Sequence, residues 1–178
     1  MQLGTLEISP ALEHPELLAN AVSAALKNLQ GGEVGVTAID PNLSDTAAFC
    51  EHYQVGMHQA ANCVVLEAKR ADKKWFAACV ILGSMRADIN GVVRRTLDAR
   101  KVSFAKMEEA VAVTGMEFGA ITPVGLPGEW SLLIDKAVID APLVTIGSGI
   151  RKSKLIVPGS FLASLPNAQV LEGLGQPK

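Results

Sequence analysis

The chain has 178 residues, a length that suits one domain better than two, and 49% of them are hydrophobic, which is enough to bury a core. Its net charge of −2, from 16 basic and 18 acidic side chains, argues against a protein that holds long nucleic acid through phosphate contacts alone. Recognition of only the end of a nucleic acid stays open. Charged residues make up 19%, which leaves neutral surface for a homodimer interface.

The cysteines and the apolar runs indicate where the protein resides. Cys50, Cys63 and Cys79 are odd in number and lack a Cys-x-x-Cys spacing, so we expect reduced thiols. The histidines form no ligand pair, so no metal site is predicted. The longest apolar run, residues 75–82, is far shorter than the roughly 18 residues of a membrane span. The N-terminus also lacks the pattern of a signal peptide, and we expect a cytoplasmic protein.

The N-terminal segment predicts an amphipathic helix. Leucine, alanine and valine recur at helical spacing over residues 14–30, with Pro15 in the first turn and Gly31-Gly32 as the end. We expect residues 1–33 to form a helical extension that packs on the rest of a single domain spanning residues 1–178.

The rest of the chain alternates strands and helices irregularly. The predicted strands are 34–39, 62–69, 75–82, 101–104, 131–134, 143–146 and 154–157. The predicted helices run from Ser44 or Asp45 to about Gln54, then over 88–97, 106–114 and 160–165. A polar turn at 70–74 joins two of the strands into a hairpin. This order predicts an α/β fold of the α+β kind, with a mixed β-sheet or partly closed barrel surrounded by helices, rather than a doubly wound parallel sheet.

One candidate site is the loop over 119–128, where glycines and prolines alternate with small residues. Glycines let a backbone approach a ligand closely and prolines hold a loop rigid, so several N–H groups can point at one carbonyl or phosphate oxygen. A solvent-exposed connection between strands is the other interpretation of this composition.

A second candidate is the turn Gly147-Ser148-Gly149, which the basic residues Arg151, Lys152 and Lys154 follow. Such a turn could hold a phosphate or a ribose hydroxyl. It could equally be a hairpin turn with a solvated basic flank. Ser148 has no recognisable histidine partner, which argues against a nucleophilic triad.

Two further polar residues border apolar strands. Asp135 ends one strand, where a carboxylate can brace a loop, contact a substrate amine or cap the strand end. Asn62 shares a strand face with Val64 and Leu66, which suggests the edge of a pocket or a residue flanking a turn.

The order of these motifs resembles the YbaK/prolyl-tRNA synthetase-associated editing family. The resemblance rests on GAITP at 119–123 after the helix KMEEAVAVTG at 106–115, on LLIDKAV at 132–138, on VTIGSGIRKSKLIVP at 144–158 and on the hairpin NCVVLEAKRADKKWFAACVIL at 62–82. By these landmarks it covers residues 34–171.

The resemblance implies an aminoacyl-tRNA deacylase that hydrolyses the ester of a mischarged tRNA in trans, with water as nucleophile and without a cofactor. Its partners would be a tRNA acceptor end and a synthetase. It implies catalytic roles for Gly119, Ala120, Ile121 and Asn62. It implies substrate-binding roles for Thr122, Pro123, Val124, Gly125, Asp135, Gly147, Ser148 and Gly149.

One position departs from the family. Better-known members carry a lysine important for activity where this chain has Asn62, which can hydrogen-bond but carries no charge. Three hypotheses therefore stay open. The chain is a deacylase, a non-catalytic module that binds an aminoacylated end or an amino-acid-like ligand, or an unrelated phosphate-binding domain using residues 147–154.

Overall fold

A computed structural model describes residues 1–29 and 33–178. The helices are α1 (Asn20–Asn28), α2 (Thr46–Tyr53), α3 (Arg94–Thr96), α4 (Met107–Thr114) and α5 (Lys136–Ile139). The strands are β1 (Ser9–Pro10), β2 (Gly35–Ala38), β3 (Ala61–Arg70), β4 (Lys73–Leu82), β5 (Met85–Ala87), β6 (Lys101–Phe104), β7 (Ser131–Asp135), β8 (Val144–Gly147), β9 (Ser153–Val157), β10 (Ala168–Leu171) and β11 (Gly175–Pro177).

Two sheets form the frame. Strands in the order β1-β2-β9-β8 make an antiparallel sheet, and the order β10-β7-β4-β3-β6 makes a mixed one, in which β7 runs parallel to both β4 and β10. A parallel bridge between Ala60 and Thr145 brings the start of β3 beside β8. A short pair, β5 with β11, completes the strands. The predicted mixed sheet surrounded by helices is therefore confirmed, and among the described residues neither large sheet closes into a barrel.

The mixed sheet is buried on both faces because its central strands are apolar at consecutive positions. On β4, Val80 packs into the main core cluster, while Cys79 and Ile81 pack into a second cluster behind the sheet. Since successive side chains of a strand point to opposite faces of the sheet, one run of apolar residues packs into a cluster on each face. The antiparallel sheet shares the main cluster through Leu155.

The first helix begins later than predicted. Residues Pro15–Leu17 form a single 3-10 turn, and α1 starts only at Asn20. Contacts with the chain near Ser148 explain the difference: the Ala19 N–H donates to the Ser148 carbonyl oxygen at 3.1 Å, and the Ser153 hydroxyl donates to the Leu17 carbonyl oxygen at 2.6 Å. The prediction was wrong for residues 14–19, and its proposed end at Gly31-Gly32 lies outside the described residues.

Most other predicted elements are confirmed with small shifts. Asp45 caps α2 by accepting from the N–H groups of Ala47 and Ala48, and strand β6 has the predicted bounds. The hairpin turn is shorter than predicted, because β3 and β4 pair as far as Arg70 and Lys73. The predicted helix over 88–97 begins with a π-helical turn capped by Asp88, and the one over 160–165 is a 3-10 helix. None of the described helices is long and apolar enough to span a membrane.

Candidate functional site

The loop at residues 119–125 and the turn at 147–149 lie against each other. The Gly149 N–H donates to the Ala120 carbonyl oxygen at 2.8 Å, and the Glu117 N–H donates to the Gly149 carbonyl oxygen at 2.9 Å. Gly147 lies beneath the loop so closely that a methyl group there would be 2.4 Å from the Ala120 oxygen. The two motifs that the sequence singled out separately therefore form one structure.

The loop leaves backbone donors unused. The Ala120 N–H bonds to the Glu117 carbonyl oxygen at 3.1 Å, whereas the N–H groups of Gly119 and Ile121 make no hydrogen bond with any residue in the described ranges. Gly119 has a φ of +81°, in the left-handed region that favours glycine. Free N–H groups on a rigid loop can receive a carbonyl oxygen as negative charge develops on it.

A groove of about 300 Å³ opens beside these donors. It is lined by Cys63, Val64, Val65, Phe104, Ala105, Met107, Ala110, Phe118, Gly119 and Ile121. Burial raises the pKa of the Cys63 thiol far above its ordinary value, so this cysteine is protonated at neutral pH and a poor nucleophile. Among the described residues, no group of three or more His, Cys, Asp or Glu side chains is arranged to hold a metal ion.

Asn62 lies at the start of β3, two residues after the bridge that joins β3 to β8. Gly147 lies two residues after the same bridge on β8. Because the bridge is parallel, Asn62 on β3 and Gly147 on β8 lie near each other. The Thr46 hydroxyl donates to Asn62 Oδ1 at 2.5 Å, and the Asn62 Nδ2 group has no partner among the described residues. Asn62 is therefore held in place with an amide donor still available.

Arg151 is a cation that lies beside the loop. Its Nη1 donates to the Phe118 carbonyl oxygen at 3.4 Å, and its Nη2 donates to the Pro41 carbonyl oxygen at 3.2 Å. A methyl group on Gly119 would lie 3.2 Å from the same Nη1. The sequence placed Arg151 only in a basic flank. Its position directly after the Gly-Ser-Gly turn was the available signal.

Lys154 is a second cation that sequence reasoning left in the flank. It is 8% exposed, its Nζ donates to the Ser44 carbonyl oxygen at 3.2 Å, and Nζ lies 5.0 Å from the centre of the Phe49 ring. Burial lowers the pKa of Lys154. Lys154 pairs with Gly147 across the sheet, so it supports the segment that faces the loop. The sequence signal for its burial was its position on the same strand face as Ile156, which is buried.

Ser148 and Asp135 lie away from the groove lining. Ser148 is fully buried, and its hydroxyl lies 2.7 Å from that of Ser153, whose own proton goes to Leu17. The Ser148 side chain thus holds the turn to the N-terminal segment. Asp135 occupies the N-cap position of α5 without capping it, and its carboxylate lies against Gly175 of β11.

The second half of the loop faces α1. Pro123 and Gly125 line a different, mainly apolar groove together with residues of α1 and with Trp130. Thr122 and Val124 are fully buried, and the Thr122 hydroxyl has no partner among the described residues. The structure therefore places Gly119 and Ile121 in the groove lining and packs Ala120 against Gly147. In the rest of the loop, Thr122 and Val124 are buried, and Pro123 and Gly125 face the different groove.

The part of the chain that contains this loop, turn and hairpin matches a known family. A family model described as the aminoacyl-tRNA editing domain matches residues 40–164. The chain belongs to this family. The resemblance to YbaK-type editing domains is thereby confirmed, and the matched span contains every predicted site residue.

Solved structures share the fold of this editing domain. One, described as a candidate trans-editing enzyme for prolyl-tRNA synthetase, has a TM-score of 0.75 at 20% identity and covers 89% of this chain and 96% of its own. A hypothetical protein has the same TM-score and identity, over 88% of this chain and 100% of its own. A candidate signal transduction protein from Marinobacter aquaeolei VT8 has a TM-score of 0.59 at 18% identity and covers 85% of this chain and 30% of its own. No curated protein matches the chain.

Proposed function

We propose that this editing domain hydrolyses the ester of a mischarged aminoacyl-tRNA in trans, with water as the nucleophile. The observation that carries the proposal is the pair of unused N–H groups, those of Gly119 and Ile121, beside the groove at the loop. Donors arranged in advance around a developing oxyanion are commonly the largest single contribution to acyl transfer. The candidate trans-editing enzyme with the same fold agrees with an RNA substrate and with a synthetase as partner.

In the proposed reaction, the aminoacyl carbonyl oxygen accepts hydrogen bonds from the loop. A water molecule attacks the carbonyl carbon, and the tetrahedral intermediate collapses with cleavage of the bond to the ribose oxygen. The proton lost by the water passes to that ribose oxygen, aided by the neighbouring ribose hydroxyl. The protonated Cys63 offers no competing nucleophile.

Other members of the family carry a lysine at the position of Asn62. In this proposal, Arg151 supplies the positive charge instead. Arg151 lies beside Gly119 and presents a guanidinium cation there. Asn62, at the start of β3, contributes the N–H donor of its neutral amide, and the hydrogen bond from Thr46 orients that amide. Arg151 and Asn62 together replace the lysine. The guanidinium stabilises the negative charge that develops on the carbonyl oxygen, and the amide orients the substrate.

The groove indicates what class of amino acid is removed. None of the residues that line it carries a charged side chain. A charged aminoacyl side chain would lose its hydration there without gaining a partner. We infer that the rejected amino acid is uncharged.

Deacylation of a panel of mischarged tRNAs tests the proposal. Gly119→Ala should lower kcat/KM by about 100-fold or more, because the positive φ disfavours alanine and displaces a donor worth roughly 10²–10³ in rate. Gly173→Ala is the matched control: Gly173 has a φ of +73° and no atom near the position of an added methyl group. A folded wild type without turnover on any tRNA of the panel would refute hydrolysis.

The second candidate function is binding of the aminoacylated end without hydrolysis. The neutral Asn62, whose Oδ1 is occupied by Thr46, favours it. On this hypothesis Asn62→Lys creates or raises hydrolysis, because it restores the charge that other members have. A wild type that already turns over and is inactivated by Asn62→Lys would exclude the binding module.

A further inference from the structure

An exposed aromatic residue lines the same groove as the loop donors. Phe104 ends β6, the edge strand of the mixed sheet, and is 65% exposed. Two other large apolar side chains on the same groove are also exposed, Phe118 at 56% and Met107 at 46%. Apolar side chains that cluster on an exposed surface commonly mark a binding site.

Phe104 also borders a second, more polar groove of about 520 Å³. Side chains able to hydrogen-bond line it, among them Arg86, Asp88, Asn90, Ser103 and Gln176. Phe104 therefore lines both an apolar groove that reaches the loop donors and a second groove with polar side chains. An extended ligand could pass across the ring from one groove to the other.

The segment that contains Phe104 is strongly basic. Residues 94–106 carry five basic side chains and one acidic one, a net charge of +4 in a chain whose net charge is −2. All five cations, Arg94, Arg95, Arg100, Lys101 and Lys106, are exposed and form no salt bridge with the described residues. The one acid, Asp98, is paired with Arg70. The segment is thus free to attract an anionic partner.

We propose that β6 and its flanks bind the single-stranded 3′ end of the substrate RNA, with Phe104 stacking on a base and Lys101 and Lys106 contacting phosphates. The inference rests on the proposed function, because the ester must enter the groove from the RNA side. Stacking on aromatic rings inside a basic surface is how proteins hold single-stranded nucleic acid without reading its sequence.

The charge distribution favours RNA over a second copy of the chain. A two-fold interface centred on Phe104 would place two segments of like charge against each other, and such juxtaposition is unfavourable. RNA instead supplies one phosphate per nucleotide. The short length of the surface, one strand and its neighbours, also fits an RNA end and not a long duplex.

Fluorescence anisotropy can measure the binding of a hairpin RNA that has a single-stranded 3′ tail and no attached amino acid. This experiment tests the surface without requiring hydrolysis. Phe104→Ala should weaken binding by roughly 5- to 150-fold, the range expected for loss of one stacked base. Val170→Ala is the matched control, because Val170 is a 43% exposed apolar residue on β10, the opposite edge strand of the same sheet. It should bind like the wild type.

The salt dependence of binding tests the cations. The double change Lys101→Gln and Lys106→Gln should reduce the slope of log K against log salt by about 0.7 per lost phosphate contact on a single strand. Lys27→Gln, on an exposed lysine of α1, should leave the slope unchanged. Equal slopes in the double variant and the wild type would overturn the proposal.

A second substrate separates this inference from the proposed function. An aminoacyl ester of adenosine carries the reacting bond without the RNA strand, so the wild type should hydrolyse it although this ester lacks the phosphates that β6 and its flanks would contact. Hydrolysis of this ester together with unchanged RNA binding in the Phe104 and lysine variants would overturn the RNA surface alone. RNA binding that responds to the variants, without any hydrolysis, supports the surface and refutes the deacylase.

Discussion

The position of Gly147 makes a sharp test of how the loop is held. Replacing Gly147 by alanine would place a methyl group 2.4 Å from the Ala120 carbonyl oxygen and 2.7 Å from that of Ile121. Both obstacles are backbone atoms, so no flexible side chain can rotate away. Relieving the clash requires the loop to move outward by about 1 Å, since carbon–oxygen contacts settle beyond roughly 3.3 Å.

A shift of that size should be costly for catalysis. Misplacement of a reacting group by about 1 Å can lower a rate by roughly 100-fold, and the donors of Gly119 and Ile121 belong to the displaced loop. We expect Gly147→Ala to lower kcat/KM for a mischarged tRNA by about 100-fold. Overpacking should also reduce the free energy of unfolding by about 1–3 kcal/mol.

A control must separate the loss of stability from the loss of activity. Gly159 offers one: a methyl group there would lie 2.1 Å from the Val138 carbonyl oxygen, an equally severe backbone clash at the start of a 3-10 helix. Gly159→Ala should lower the melting temperature yet leave the rate per folded molecule within a few-fold of the wild type. Wild-type kcat/KM in Gly147→Ala would refute the role of the loop geometry.

Two further predictions concern the cations near the loop. Arg151→Lys should lower kcat/KM by roughly 10-fold or more, because one ammonium cannot bond the Phe118 and Pro41 carbonyl oxygens in the fork geometry of a guanidinium, and single-turnover rates measure it. A wild-type rate would contradict this. Burial lowers the pKa of Lys154 below its ordinary value of 10.5, so the folded state binds fewer protons than the unfolded state between those two values. Denaturant unfolding at pH 7 and pH 10 should therefore show the wild type gaining stability relative to Lys154→Met as pH rises, and an unchanged difference would refute it.

Local patterns predicted the hairpin and the edge strand well. Apolar and β-branched residues dominate residues 63–68 of β3, with Glu67 as the one charged exception, and fill residues 75–82 of β4, and charged residues mark the turn between the two strands. Strand β6 was found because Val102 and Phe104 alternate with polar neighbours. These elements depend on residues close in sequence, which is what periodicity and turn chemistry report.

Features that depend on distant residues were missed. Ala19 leaves the helical conformation because its N–H reaches the Ser148 carbonyl oxygen, 129 positions further along the chain. Arg151 reaches Pro41 across 110 positions, and Lys154 reaches Ser44 across 110. No local pattern encodes such contacts, because they arise only when the two sheets pack. The family resemblance located the loop, but it could not show that its two halves face different grooves.

The placement of these contacts also bears on the missing lysine. In the proposed mechanism, an oxyanion site made of backbone N–H groups needs geometry more than it needs any one side chain. The geometry of this loop is fixed by Gly147 beneath it and by Gly149 bonded to Ala120. Arg151 bonds the carbonyl oxygens of Phe118 and Pro41, so its charge is held beside Gly119 by the same backbone that carries the donors. A cation fixed in this way keeps its position whether or not β3 begins with a charged residue. Asn62 is therefore compatible with hydrolysis, and the rate of Arg151→Lys measures how far hydrolysis depends on a cation held in the fork geometry of a guanidinium.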